Sequence, residues 1–264
     1  MFTIDKYILA ENLEQAYELN QNRRNVIIGG MLWLKMGRKR IGTAIDLSAL
    51  NLNTITEDEQ SFKIGCMCTL RDIELHEGIK NYFGTLLNKA IENIVGVQMR
   101  NLATIGGSIY SRFGFSDILT VLLSLDTYVE LYKGGIIPLE KYADMPLDND
   151  ILVNIIIKKD GRKASYSSHR LSATDFPVLT CAVSNKGRQW FVVHGARPMR
   201  AKLSKIEMSE NPETEEIIAA VAKLADGTPF GTNIRGRMEY RRILAEVLAK
   251  RNIEEILKGE SHAN

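Results

Sequence analysis

Two stretches of this 264-residue chain place paired glycines directly after apolar residues: Ile27-Ile28-Gly29-Gly30-Met31 and Thr104-Ile105-Gly106-Gly107-Ser108. A backbone without side chains can come close to a ligand, and consecutive N–H groups in a glycine turn make a concave surface for an anion. Two such surfaces suit the two phosphates of a pyrophosphate with little help from basic side chains. From spacing alone, two tight turns are the first reading.

The other chemistry-bearing residues form no constellation. His76, His169, His194 and His262 lack metal-ligand spacing, and Cys66, Cys68 and Cys181 are an odd number without a C-x-x-C. Neither a zinc site nor a disulfide framework is expected, and so few cysteines favour a reducing, cytoplasmic setting. Gly37 to Thr43 has P-loop glycine spacing but lacks the Lys and Ser/Thr that must reach phosphate and magnesium. With no H-E-x-x-H, G-x-S-x-G or G-x-G-x-x-G, hydrolase and nicotinamide-binding Rossmann chemistry have no motif, and no catalytic or metal-binding residue is assigned.

The chain's 45% hydrophobic and 25% charged residues describe a folded protein of one to two domains. The net charge of +2 and the short basic run Arg38-Lys39-Arg40 imply neither nucleic acid nor an anionic membrane, and no apolar run reaches the roughly 20 residues of a membrane span. A strand near Tyr7–Ala10, a helix over Asn12–Asn20 and a strand at Val26–Ile28 open the chain in β-α-β order. A helix from Met31, strands at Thr43–Asp46 and Phe62–Ile64, a Thr69-x-x-Asp72 capping box and an apolar helix through Leu86–Ile94 follow. Residues 100–108 read as a loop. Ser116-Asp117 caps a helix over Ile118–Leu125, and strands at Thr127–Tyr132 and Ile151–Ile157 flank the turn Lys133-Gly134-Gly135. Beyond residue 160 the pattern changes to a hairpin, Val178–Val183 and Trp190–Val193 around Asn185-Lys186-Gly187, then two helices, the second over Arg241–Leu257.

The segment Gln98-Met99-Arg100-Asn101-Leu102-Ala103-Thr104-Ile105-Gly106-Gly107-Ser108-Ile109 resembles the Q-x-R-N-x-A-T-I-G-G-N-I motif of the FAD-binding subunits of molybdenum hydroxylases, the xanthine dehydrogenase and carbon monoxide dehydrogenase family. Ile28-Gly29-Gly30, Lys63-Ile64-Gly65 with Thr69-Leu70, Ser116-Asp117, Ile137-Pro138-Leu139 and the stretch from Val193 to Ala201 are similar to further family segments in the same order. The resemblance covers essentially the whole chain.

That resemblance implies an α+β protein: a two-lobed, PCMH-type FAD-binding domain at 1–160 and a C-terminal domain of sheet plus helices at 161–264. It implies that the backbone of Ile27, Ile28, Gly29, Gly30, Met31, Leu32 and Trp33, and of Thr104, Ile105, Gly106, Gly107 and Ser108, wraps the FAD pyrophosphate. The Thr104 hydroxyl adds a donor, and Asp117 accepts from nucleotide hydroxyls. Met31 and Leu32 replace polar family residues, so the first loop would grip by backbone alone. Near Ser167-Ser168, where some relatives carry a lysine, Arg170 is the nearest cation. The implied function is electron transfer inside a hetro-oligomer, between iron–sulfur clusters of one partner, fed by a molybdenum cofactor subunit, and an acceptor such as NAD(H). Three cysteines are one short of a Cys₄ cluster. The rival reading is a flavin-free assembly subunit of the same fold.

Overall fold

The computed structural model describes residues 2–259. Helices and strands are mixed throughout, as an α+β protein requires, and they gather into two compact units, each discontinuous in sequence. The first takes residues through Ile73 with Val97–Ser111 and Thr127–Ile157; the second takes Glu74–Gly96, Arg112–Asp126 and the chain from Lys158.

The first unit opens with β1 (Thr3–Leu9), α1 (Leu13–Asn20), β2 (Val26–Ile28), α2 (Leu32–Met36) and β3 (Arg40–Asp46). The three strands form a parallel sheet in the order β1-β3-β2. Asn12 starts α1 by accepting from the Gln15 amide at 2.8 Å. β1 and β3 begin earlier than their local sequence suggests because Thr3 and Ile4 pair with Arg40 and Ile41, a partner supplied by tertiary structure. After β4 (Ile55–Glu57) and β5 (Ser61–Gly65), the capping box forms as read. The Thr69 amide donates to Asp72 Oδ2 at 2.8 Å and the Asp72 amide to Thr69 Oγ1 at 3.1 Å, starting α3 (Leu70–Leu75).

Helices α4 (Glu77–Phe83) and α5 (Leu86–Ile91) belong to the second unit apart from the first. The expected loop at 100–108 is instead helical on both sides of a short link: α6 (Val97–Arg100) and α7 (Ile105–Tyr110). Ile105 and Ile109, four residues apart and both buried, anchor α7 despite its two glycines. Next come α8 (Asp117–Ser124), β6 (Thr127–Leu131), β7 (Gly135–Pro138), α9 (Leu139–Asp144) and β8 (Leu152–Lys158). Gly135, at φ +66°, makes the β6–β7 turn, and the first unit's second sheet has the order β4-β5-β8-β6-β7.

The second unit is built on an antiparallel sheet of β9 (Lys163–His169), β10 (Leu179–Lys186), β11 (Gln189–Gly195) and β12 (Lys202–Glu207). The β10–β11 hairpin was legible in sequence; the flanking β9 and β12, polar and weakly patterned, were not. Helices α10 (Thr214–Asp226) and α11 (Met238–Leu257) bury Leu179, Cys181, Val183, Trp190 and Val192 on one face of the hairpin. The alternate residues of β10 meet α8: Thr180 Oγ1 lies 3.0 Å from Thr120 Oγ1, and the Ser184 hydroxyl donates to the Ser124 carbonyl. Gly195 is glycine because a Cβ there would overlap both Thr120 and Thr180. α8 is therefore fixed from outside its own sequence.

Candidate functional site

The first glycine segment leaves a strand and enters a helix. Ile27 and Ile28 end β2 opposite Ile45 and Asp46, Gly29 and Gly30 turn, Met31 adopts φ +58°, ψ +13°, and Leu32 and Trp33 open α2. The turn is pressed onto the second segment. A Cβ on Gly29 would lie 2.7 Å from Thr104 Oγ1, and one on Gly30 would overlap the Leu102 carbonyl. Among the described residues, the amides of Gly29, Gly30, Met31 and Leu32 find no protein acceptor. Left-handed Met31 followed by helical Leu32 is the geometry in which successive amides converge on one side, an anion-binding concavity.

The second segment is used differently. The Ile105 amide donates to the Cys68 carbonyl and the Gly106 amide to the Cys66 carbonyl, both at 2.9 Å; Gly107 donates to Thr104 Oγ1 at 3.2 Å and Ser108 to the Thr104 carbonyl at 3.1 Å. The Ser108 hydroxyl also turns back to that carbonyl, at 3.0 Å. These four amides are internally satisfied. Thr104 accepts from Gly107 and retains its own hydroxyl hydrogen as a donor. The glycines differ too: a Cβ on buried Gly106 would sit 2.5 Å from the Cys66 carbonyl oxygen, whereas on exposed Gly107 it would meet only Thr104 Oγ1, at 3.1 Å. The open flank of Gly107 is thus not demanded by the chain's own packing.

Asp117 lies in the second unit. Ser116 is the N-cap of α8, its Oγ accepting from the Leu119 amide at 3.1 Å, and Asp117 is the first helical residue with a different task. It is 5% exposed, and its Oδ1 accepts from both the Tyr166 hydroxyl and Arg170 Nη2, the latter at 2.5 Å. Arg170 Nη1 donates to the Asp175 carbonyl at 2.5 Å. Burial holds the Asp117 carboxyl above its ordinary value, opposed by the Arg170 charge and the Tyr166 hydrogen bond. Burial and the adjacent Asp117 push the Tyr166 hydroxyl well above its ordinary value. Sequence reasoning missed Tyr166. Tyr166 lies on β9, three residues before the strand ends at His169, and Arg170 follows directly.

The remaining sequence candidates have structural jobs. Burial pushes the Cys66 and Cys181 thiols up to about 12 and Cys68 up to about 11, so none is a thiolate near neutral pH. His76 caps α4, its Nδ1 accepting from the Ile79 amide at 3.2 Å. His169 meets the Tyr240 hydroxyl at 3.0 Å, and His194 is buried with Nε2 3.4 Å from the Ala245 carbonyl. His262 falls outside the described residues. No helix among the described residues is long and apolar enough to cross a membrane.

Residues 2–159 match the family described as the FAD binding domain in molybdopterin dehydrogenase. The chain is 26% identical to the uncharacterized protein YgfM of Escherichia coli over 93% of each chain. It is 24% identical to the glyceraldehyde dehydrogenase medium chain of Sulfolobus acidocaldarius, covering 95% of this chain and 97% of that one. A carbon monoxide dehydrogenase chain from Hydrogenophaga pseudoflava shares the fold at a TM-score of 0.84 and 18% identity, over 96% of this chain and 97% of that one. With that model matched over more than half its length, the chain belongs to the family of FAD binding domains in molybdopterin dehydrogenases.

Proposed function

We propose that this chain is the electron-transfer subunit of a molybdenum hydroxylase complex, with FAD held by residues 27–33 and 104–108 and by Asp117. One observation carries the reading: four consecutive amides, Gly29 to Leu32, have no acceptor among the described residues and lie beside a glycine whose open flank the fold does not need. An anion with several oxygens fits such donors, and a pyrophosphate supplies them. Gly29 to Leu32 grip by backbone, which makes the apolar Met31 and Leu32 side chains compatible with phosphate. Thr104 contributes its hydroxyl hydrogen, Gly107 leaves room, and Asp117 offers a carboxylate to a nucleotide hydroxyl. When bound, the flavin accepts electrons and passes them on, so the chain's contribution is position and electrostatics.

Residues 1–160 are the cofactor domain in this reading and 161–264 the C-terminal domain, in a cytoplasmic assembly. The chain's three cysteines cannot hold a Cys₄ cluster, and all three are buried thiols. Iron–sulfur clusters then belong to one partner and the molybdenum cofactor to another, with NAD(H) as the acceptor couple. The FAD-loaded single chain is expected to oxidise NADH with an artificial acceptor and to leave aldehydes and purines untouched. Steady turnover of an aldehyde or purine by the purified chain would contradict the subunit reading.

A further inference from the structure

We propose that Arg170 and Tyr166 are positioning residues for Asp117: by taking Oδ1 together they fix the carboxylate and leave Oδ2 as the acceptor for a cofactor hydroxyl. The inference rests on the reading that Asp117 meets the cofactor, and it adds how a buried carboxylate is kept fit for that contact.

Three observations support it. Both internal donors converge on Oδ1, and none of the hydrogen bonds among the described residues ends on Oδ2. The Arg170 side chain is 9% exposed and that of Asp117 6%, so the pair is screened little by water. Arg170 Nη1 is itself held by the Asp175 carbonyl, and Arg235 Nη2 lies 3.1 Å from Asp175 Oδ1, so the guanidinium is also anchored through the terminal nitrogen that Asp117 does not use. Arginine suits this place because it stays charged when buried.

Of the other titratable groups on the elements packed against α8, none enters the electrostatics of Asp117, and several are engaged elsewhere, Lys186 on β10 with Asp160 among them. Lys89 on α5 pairs with Glu255, His194 on β11 faces the Ala245 carbonyl, and Lys202 on β12 donates to the Gly227 carbonyl. Arg170 and Tyr166 are the groups that act on Asp117. Without Arg170, burial is opposed only by the Tyr166 and backbone hydrogen bonds, and the balance moves further towards the protonated form. A protonated Asp117 presents a donor where the hydroxyl needs an acceptor.

The test is FAD titration of the flavin-stripped full chain by fluorescence quenching between pH 6 and 9, with circular dichroism melts as the fold control. The wild-type chain should bind with little pH dependence, and Asp117→Asn about 10- to 100-fold more weakly at every pH. Arg170→Met should match Asp117→Asn at pH 6 and regain affinity as pH rises and Asp117 ionises, whereas Arg170→Lys should keep most of the affinity. Tyr166→Phe should weaken binding several-fold at pH 6 with the same upward trend, and it carries the test should Arg170→Met fail to fold. A flat profile in the folded Arg170 and Tyr166 variants, with Asp117→Asn weak, overturns the positioning role and leaves the cofactor reading standing. Full affinity in Asp117→Asn overturns both.

Discussion

Gly106 and Gly107 are adjacent and look interchangeable in sequence, yet they should respond oppositely to alanine. A methyl on Gly107 has open space except for Thr104 Oγ1 at 3.1 Å. Replacing a helical glycine by alanine gains about 0.5–1 kcal/mol of backbone entropy, and crowding the Thr104 cap costs at most about 1 kcal/mol. The two nearly cancel, so the flavin-free Gly107→Ala chain should melt within roughly 4 °C of wild type. The same methyl intrudes on the flank proposed for the cofactor. Losing one charge-assisted phosphate contact of about 1.5–3 kcal/mol would weaken FAD binding by about 10- to 100-fold. On Gly106 the methyl would meet backbone, 2.5 Å from the Cys66 carbonyl oxygen and 2.7 Å from the Cys66 Cβ. Backbone in a packed interior yields little, and a loss of about 2–3 kcal/mol in stability is expected. Melting of the stripped chains with FAD titration separates the cases. A normally folded Gly107→Ala chain with wild-type affinity would refute the open-flank reasoning, and a Gly106→Ala chain of wild-type stability would refute the packing argument.

Ser116→Ala should cost about 1 kcal/mol in denaturant melts with FAD affinity intact, because Ser116 and not Asp117 caps α8. Burial lowers His194 to about 4, so the native state resists a proton that the unfolded chain accepts below about 6.5. Its contribution is full above pH 6.5 and falls as pH drops towards 4. Urea melts should lose about 2 kcal/mol between pH 6.5 and 5 from this residue, a loss that His194→Gln should remove. Arg241 is fully buried and donates to the carbonyls of Val178, Gly231 and Gly236 and to Asn233 Oδ1. Arg241→Met leaves four acceptors bare and should cost about 3 kcal/mol or more, measured by urea unfolding.

Local signals located most elements here. Thr69 with Asp72, Ser116, Gly135 and Gly187 are caps and turns whose chemistry acts within a few residues, so their sequence is enough. The start of β1, the polar strands β9 and β12 and the helix α7 depend on partners remote in sequence, and a local pattern cannot announce those. The site divides along the same line. The paired glycines were visible as glycines, but which of them serves the fold follows only from what stands opposite: Leu102 for Gly30, Cys66 for Gly106, open space for Gly107. Likewise Asp117 was visible in its motif, whereas its hold on Tyr166 and Arg170 spans 49 and 53 residues of chain.

The central claim is that this chain binds FAD through its glycine segments, and stoichiometric titration of the stripped chain with FAD tests it most directly. The account predicts saturation at one FAD per chain, a bound flavin absorbing in the blue, and loss of that binding in Gly107→Val while the fold persists. A folded wild-type chain that takes up no FAD even at high micromolar concentration would contradict it and leave a flavin-free assembly subunit as the better description.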